Sequence, residues 1–100
     1  MQITIEAPFS VSDLQKETIQ QKMDELEKYS INITRGSIYF KKGDSDQNDI
    51  IIGEVELHVP GPTIFSSAES VDFMEAFNAA LNKSRRQLVK MKEKMVDHHN

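Results

Sequence analysis

Residues 72–95 read DFMEAFNAALNKSRRQLVKMKEKM. Within this stretch Met74, Phe77, Leu81, Ser84, Leu88, Met91 and Met95 recur at alternating steps of three and four. That spacing predicts one long helix with a continuous inner stripe, apolar except at Ser84. Asp72 with Glu75 has the spacing of a capping box, and the helix should start near Ser70 or Asp72. Its outer side is strongly basic. At 100° per residue, Lys83, Arg86, Lys90 and Lys94 fall within about 80° of one another and point away from the stripe. Arg85 and Lys92, seven apart, form a narrower row on one flank.

Working outward, the helix needs a sheet to cover. Ile51, Gly53, Val55, Leu57 and Val59 alternate along 50–59 and predict the longest strand. Glu54, Glu56 and His58 would face solvent on its other side. Gly53, in mid-strand, marks a bulge or a close helix contact. A polar, glycine-containing loop at 43–49 precedes this strand and a Pro-Gly-Pro turn at 60–62 follows it. Strands are predicted on either side, SIYFKK at 37–42 with Ile38 and Phe40 inward, and TIFSSA at 63–68. The first seven residues, MQITIEA, alternate as a half-buried strand. A helix follows, capped by Ser10 or Ser12 and running to about Tyr29. Ile19, Met23 and Leu26 face the core, and Phe9 with Leu14 would form a hydrophobic staple if Ser10 is the cap. The order is β-α-β-β-β-α: an α+β two-layer sandwich, with two helices on one face of a mostly antiparallel four-stranded sheet.

One hundred residues fit one domain, 1–100. No apolar run approaches the roughly 18 residues of a membrane span, and no signal peptide is visible. The chain has no cysteine. That excludes disulfides and thiol chemistry and fits a reducing compartment, with the cytoplasm as default. The charge is lopsided: residues 1–70 carry six basic and twelve acidic side chains, residues 71–100 six and four. A merely solvated helix face usually mixes signs; here Glu93 alone interrupts the basic residues of 83–94. The row is therefore either a solvated face or the footprint of a polyanion. RNA would bind through phosphates, with Arg as a planar fork and Lys as a point charge. Few free aromatics remain for stacking, which favours structured RNA over single strands.

Catalytic chemistry finds little support. No nucleophile–base arrangement, phosphate loop or zinc-binding helix motif is present, and no cofactor or small-molecule substrate is implied. His98 and His99 read as a frayed terminus, and His58, Glu54 and Glu56 as polar surface.

Residues 65–94, FSSAESVDFMEAFNAALNKSRRQLVKMKEK, follow a strand and a Gly-Pro turn. With MQITIEA and MDELEKY in the first half, they resemble the ribosome hibernation-promoting factors, also called ribosome-associated inhibitor A or sigma-54 modulation proteins. The resemblance spans essentially the whole chain. It implies a non-enzymatic translation regulator that holds ribosomes idle in stationary phase or starvation. Its partner would be the ribosomal RNA of the small subunit, in the mRNA and tRNA channel. Lys83, Arg86 and Lys90 match family positions that face RNA, and Lys22 and Lys28 on the first helix match basic family positions. Arg85, Lys92 and Lys94 are added from the helical geometry alone. Two features depart from the pattern. Glu25 stands where the family usually has a lysine, beside Asp24. The chain also stops soon after the last helix, like the family's short form. Ribosome pairing would then need a separate dimerisation factor or direct subunit contact. Two other readings keep the fold: a module whose basic helix docks an acidic protein, and a double-stranded RNA-binding domain. The latter lacks its loop histidine and has Asp72 and Glu75 where its last helix usually begins with lysines.

Overall fold

A computed structural model describes residues 1–43 and 49–97. Two glycines explain how its layers meet. Gly36 and Gly53 sit in adjacent central strands, on the face that carries Ile38, Val55 and Leu57. A Cβ built on Gly36 would lie 2.5 Å from Met23 Cε, and one on Gly53 would lie 2.9 Å from the backbone carbon of Ala76. Each glycine therefore receives one helix at close range. Gly53 marks a close helix contact and not a bulge, since the pairing of its strand with both neighbours runs without interruption.

The strands are β1 (Gln2–Glu6), β2 (Arg35–Lys42), β3 (Ile51–His58) and β4 (Ile64–Ser70), and the helices are α1 (Asp13–Asp24) and α2 (Phe73–Asp97). The sheet order is β1-β2-β3-β4, with β1 parallel to β2 and the other pairs antiparallel. This is the β-α-β-β-β-α sandwich that the alternating and helical periods imply. β2 starts two residues earlier than expected, and β4 continues two residues further, to Ser70. Gly43 N donates to Ile50 O at 2.7 Å, closing the base of the β2–β3 connection; residues 44–48 of the expected hairpin loop lie outside the described residues.

Helix starts follow local hydrogen bonding. Ser12, not Ser10, caps α1 in a complete capping box: Gln15 N donates to Ser12 Oγ at 3.1 Å and Ser12 N to Gln15 Oε1 at 2.9 Å. The staple therefore does not form, and Leu14 is 73% exposed. Phe9 instead stacks between Phe40 and Phe73, at centroid distances of 5.8 and 4.8 Å. The α-helix stops at Asp24, earlier than expected. Glu25–Tyr29 continues it as a 3-10 helix and Ser30 ends it in the left-handed conformation. At α2, Asp72 Oδ1 accepts from Met74 N at 2.9 Å. Glu75 does not complete a box, because its carboxylate accepts from Ser70 Oγ at 3.0 Å.

The core follows the predicted faces: Ile19, Met23, Leu26, Ile38, Val55, Leu57, Phe77, Leu81 and Leu88 are buried. Met95 departs from its stripe and is 52% exposed. The 25 residues of α2 span about 37 Å, whereas a strand of eight residues covers about 26 Å, so the last turns of the helix overrun the sheet. Ser84 stays inside the stripe because β4 supplies a partner: its Oγ donates to Ser66 Oγ at 3.0 Å in full burial.

Candidate nucleic-acid interface

The fold separates the basic residues of α2 into two groups on either side of its outer ridge. Lys83 leans toward the free edge of β4, where its Nζ donates to Ser67 O at 2.7 Å. Gln87, one turn on, donates to Phe65 O at 2.9 Å and to Ser66 Oγ at 2.8 Å. These two side chains occupy outward-facing carbonyls of an edge strand that would otherwise be open to pairing. An ammonium has three protons, so Lys83 keeps two for another acceptor while its position is fixed. Arg86, Lys90 and Lys94 are exposed, and among the described residues no acid pairs with them.

Arg85 belongs to the other flank. Its Nη1 donates to Asn82 Oδ1 at 2.7 Å, its Nη2 lies 3.6 Å from Glu25 Oε2, and its Nε is enclosed without a hydrogen bond. The guanidinium is thus held in the groove between α2 and the 3-10 helix. Lys92 is half-buried. Lys22 reaches across from α1, donating to Asn78 Oδ1 at 2.8 Å. Lys28 stays exposed, its Nζ 5.5 Å from the centre of the Tyr29 ring.

The expected residues are therefore not one patch. Lys83, Arg86, Lys90 and Lys94 form a single exposed row, whereas Lys22 and Arg85 are set in the helix–helix groove. Two participants, Asn78 and Asn82, and the pairing of Glu25 with Arg85 lay beyond the sequence reading. Asn82 is three residues before Arg85, a spacing at which helical side chains meet, and so was open to discovery. Asn78 and Glu25 act across the two helices, and no sequence period reports that.

The opposite face of the sheet carries short-range polar pairs. Lys41 Nζ lies 3.1 Å from Glu54 Oε1, and His58 Nε2 lies 2.9 Å from Glu56 Oε1. Among the described residues no cluster of three or more His, Cys, Asp or Glu could hold a metal ion. His98 and His99 lie outside those residues. No described helix is long and apolar enough to cross a membrane.

A mixed sheet covered on one face by two helices, with an exposed basic row on the second, defines an α+β protein. Comparison with known proteins narrows that class. Residues 2–96 match the family described as Sigma 54 modulation protein / S30EA ribosomal protein, and the chain belongs to it. It is 29% identical over 98 residues to the ribosome hibernation promoting factor of Azotobacter vinelandii, covering 97% of this chain and 88% of that one. Two solved structures share the fold, each with a TM-score of 0.75. One is the N-terminal domain of Thermus thermophilus Protein Y, 15% identical, covering 91% of this chain and 99% of that one. The other is a ribosomal subunit interface protein from Coxiella burnetii, 23% identical, covering 93% and 99%.

Proposed function

We propose that this chain is a single ribosome-binding domain. It binds the small ribosomal subunit in the channel that mRNA and tRNA use, and holds idle ribosomes out of translation. The outer face of α2 makes the contact with ribosomal RNA. Family membership supports the ribosomal setting, as does the likeness to a ribosome hibernation promoting factor. The observation that carries the RNA contact is the exposed row Lys83, Arg86, Lys90 and Lys94, in which, among the described residues, Lys83 alone is engaged, and that to a neutral carbonyl. Cations left without acids in a chain of net charge -4 are available to phosphates.

Lys22 and Arg85 add to this surface from the groove, where Asn78 and Asn82 orient them; Lys28 and Lys92 extend it at the margins. The chemistry is positioning and charge neutralisation, with no bond made or broken. Affinity then comes from released counterions and carries little sequence information.

The test is co-sedimentation of the purified protein with small ribosomal subunits across a salt series. An interface of four to six phosphates gives a log–log slope of roughly -3 to -5. The triple variant Lys83→Glu, Arg86→Glu, Lys90→Glu should keep its circular dichroism and thermal transition and lose the subunits. A folded triple variant that still co-sediments normally would overturn the assignment of the α2 row. Binding that survives digestion of the ribosomal RNA would point to an acidic protein partner instead.

A further inference from the structure

We propose that a groove at the end of α2 seats one unstacked RNA base, with the flanking phosphates on Lys90 and Lys94. The inference rests on the ribosomal-RNA reading above and names a contact of that same surface.

The groove lies between the 60–62 turn and the overrunning part of the helix, with a volume of about 680 Å³. Pro60, Pro62, Met91 and Met95 line it with apolar surface, and Lys90 and Lys94 line it as cations. That combination selects its occupant. A bare phosphate has no use for the apolar surface, and an uncharged ligand none for the lysines. A nucleotide has a flat apolar ring joined to anionic oxygens and uses both. Methionine sulfur makes favourable contacts with aromatic rings and adapts to their shape. Gln87 also lines the groove. Its amide protons go to Phe65 O and Ser66 Oγ, so its Oε1 is the atom left to accept from a base amine.

The turn wall is set before any ligand arrives. Both prolines have restricted φ, and Gly61 between them has φ 103°, a conformation that side chains with a Cβ rarely adopt. Lys90 and Lys94 also belong to the exposed row, so RNA lying along that row passes the mouth of the groove. The aromatic rings offer no alternative platform on this side. Phe9, Phe40 and Phe73 pack on one another, Phe77 is buried, and Phe65, though 49% exposed, alternates with Ile64 and Ser66 and so belongs to the other face of β4.

The experiment uses intact small ribosomal subunits and the exposed Met95. A photoreactive benzophenone side chain in place of Met95 should crosslink to ribosomal RNA on irradiation. Met95→Gln should weaken binding about three- to ten-fold at every salt concentration, with the salt slope unchanged, because it removes ring contact and no phosphate contact. Lys90→Gln, by contrast, should lower the slope by about one phosphate. Crosslinking to a ribosomal protein, or to nothing, overturns the base-seating role. So does wild-type affinity in Met95→Gln, or a changed slope. A wild-type chain that fails to bind subunits overturns the ribosomal reading and the groove with it, whereas normal wild-type binding with an indifferent Met95→Gln overturns the groove alone.

Discussion

Glu25 Oε2 lies 3.6 Å from Arg85 Nη2, so an acid just past the end of α1 holds a base in the middle of α2 across the groove between them. Helical position puts Arg85 on the flank of the exposed row, and the pair holds it there, the one α2 cation with an acid partner among the described residues. The pair also gives Glu25 a definite role where a family comparison marks only a missing positive charge.

The pair should compete with phosphate for Arg85. Glu25→Gln should tighten binding to small subunits by roughly two- to five-fold, the range set by exposed ion pairs. The salt slope should steepen by about one phosphate. Arg85→Gln should weaken binding, and adding Glu25→Gln to it should restore nothing. Equal gains from Glu25→Gln in both backgrounds would mean that the acid acts through long-range charge and not through Arg85. Folding stability should move by less than about 1 kcal/mol, since Glu25 is largely exposed.

Gly53 and Gly36 make a contrasting pair. A methyl at Gly53 would meet the α2 backbone at Ala76 and Phe77, which cannot move without shifting the helix. Gly53→Ala should cost about 2 kcal/mol or more in urea unfolding. At Gly36 the nearest obstacle is the terminal methyl of Met23, the mobile end of a flexible side chain. Gly36→Ala should cost about 1 kcal/mol or less. Equal costs at the two sites would contradict the close docking of α2 on β3.

The contrast also locates what the sequence can convey. The faces of Phe77, Leu81 and Leu88 follow from one helical period, and those of Val55 and Leu57 from one strand period. Burial along a single element is written in that element. Met95 obeys the same period yet is exposed, because no wheel records that a helix is longer than the sheet beneath it. The exposed row of Lys83, Arg86, Lys90 and Lys94 was legible for the same reason as the core. The capture of Lys22 by Asn78 and of Arg85 by Glu25 was not. Both depend on α1 and α2 running side by side in the same direction, which is a property of the packed pair. The choice of Ser12 over Ser10 turned on a single residue, Gln15, whose side chain completes the box from the N3 position.

The buried hydroxyl pair should behave as a unit. Ser66 Oγ accepts from both Ser84 Oγ and Gln87 Nε2. Ser66→Ala strands the Ser84 donor and should cost about 1–3 kcal/mol. Removing the second hydroxyl leaves no buried hydroxyl without a partner, and the exposed Gln87 amide can turn its freed proton to water, so the double variant Ser66→Ala, Ser84→Ala should be more stable than Ser66→Ala alone. Chemical denaturation of Ser66→Ala, Ser84→Ala and the double variant checks this. A double variant as weak as the sum of the singles would mean that the hydroxyls contribute independently.

The amino terminus makes stability depend on alkaline pH. The Met1 ammonium donates to Glu27 Oε1 at 2.8 Å and to Asp24 Oδ1 at 3.2 Å, tying β1 to the end of the first helical segment. These hydrogen bonds, Glu27 first and then Asp24, hold the ammonium above its ordinary value of 8.0. A group whose folded pKa is raised stabilises fully below its unfolded value, and the stabilisation disappears as pH rises through the folded value. Stability should therefore be at its full value near pH 7 and should decline once pH passes 8. Urea midpoints from pH 7 to 10 measure this, with Asp24→Asn, Glu27→Gln as the control. The control should be less stable near pH 7 and should show a shallower decline above pH 8. Parallel curves for the two proteins would show that the alkaline loss comes from another group.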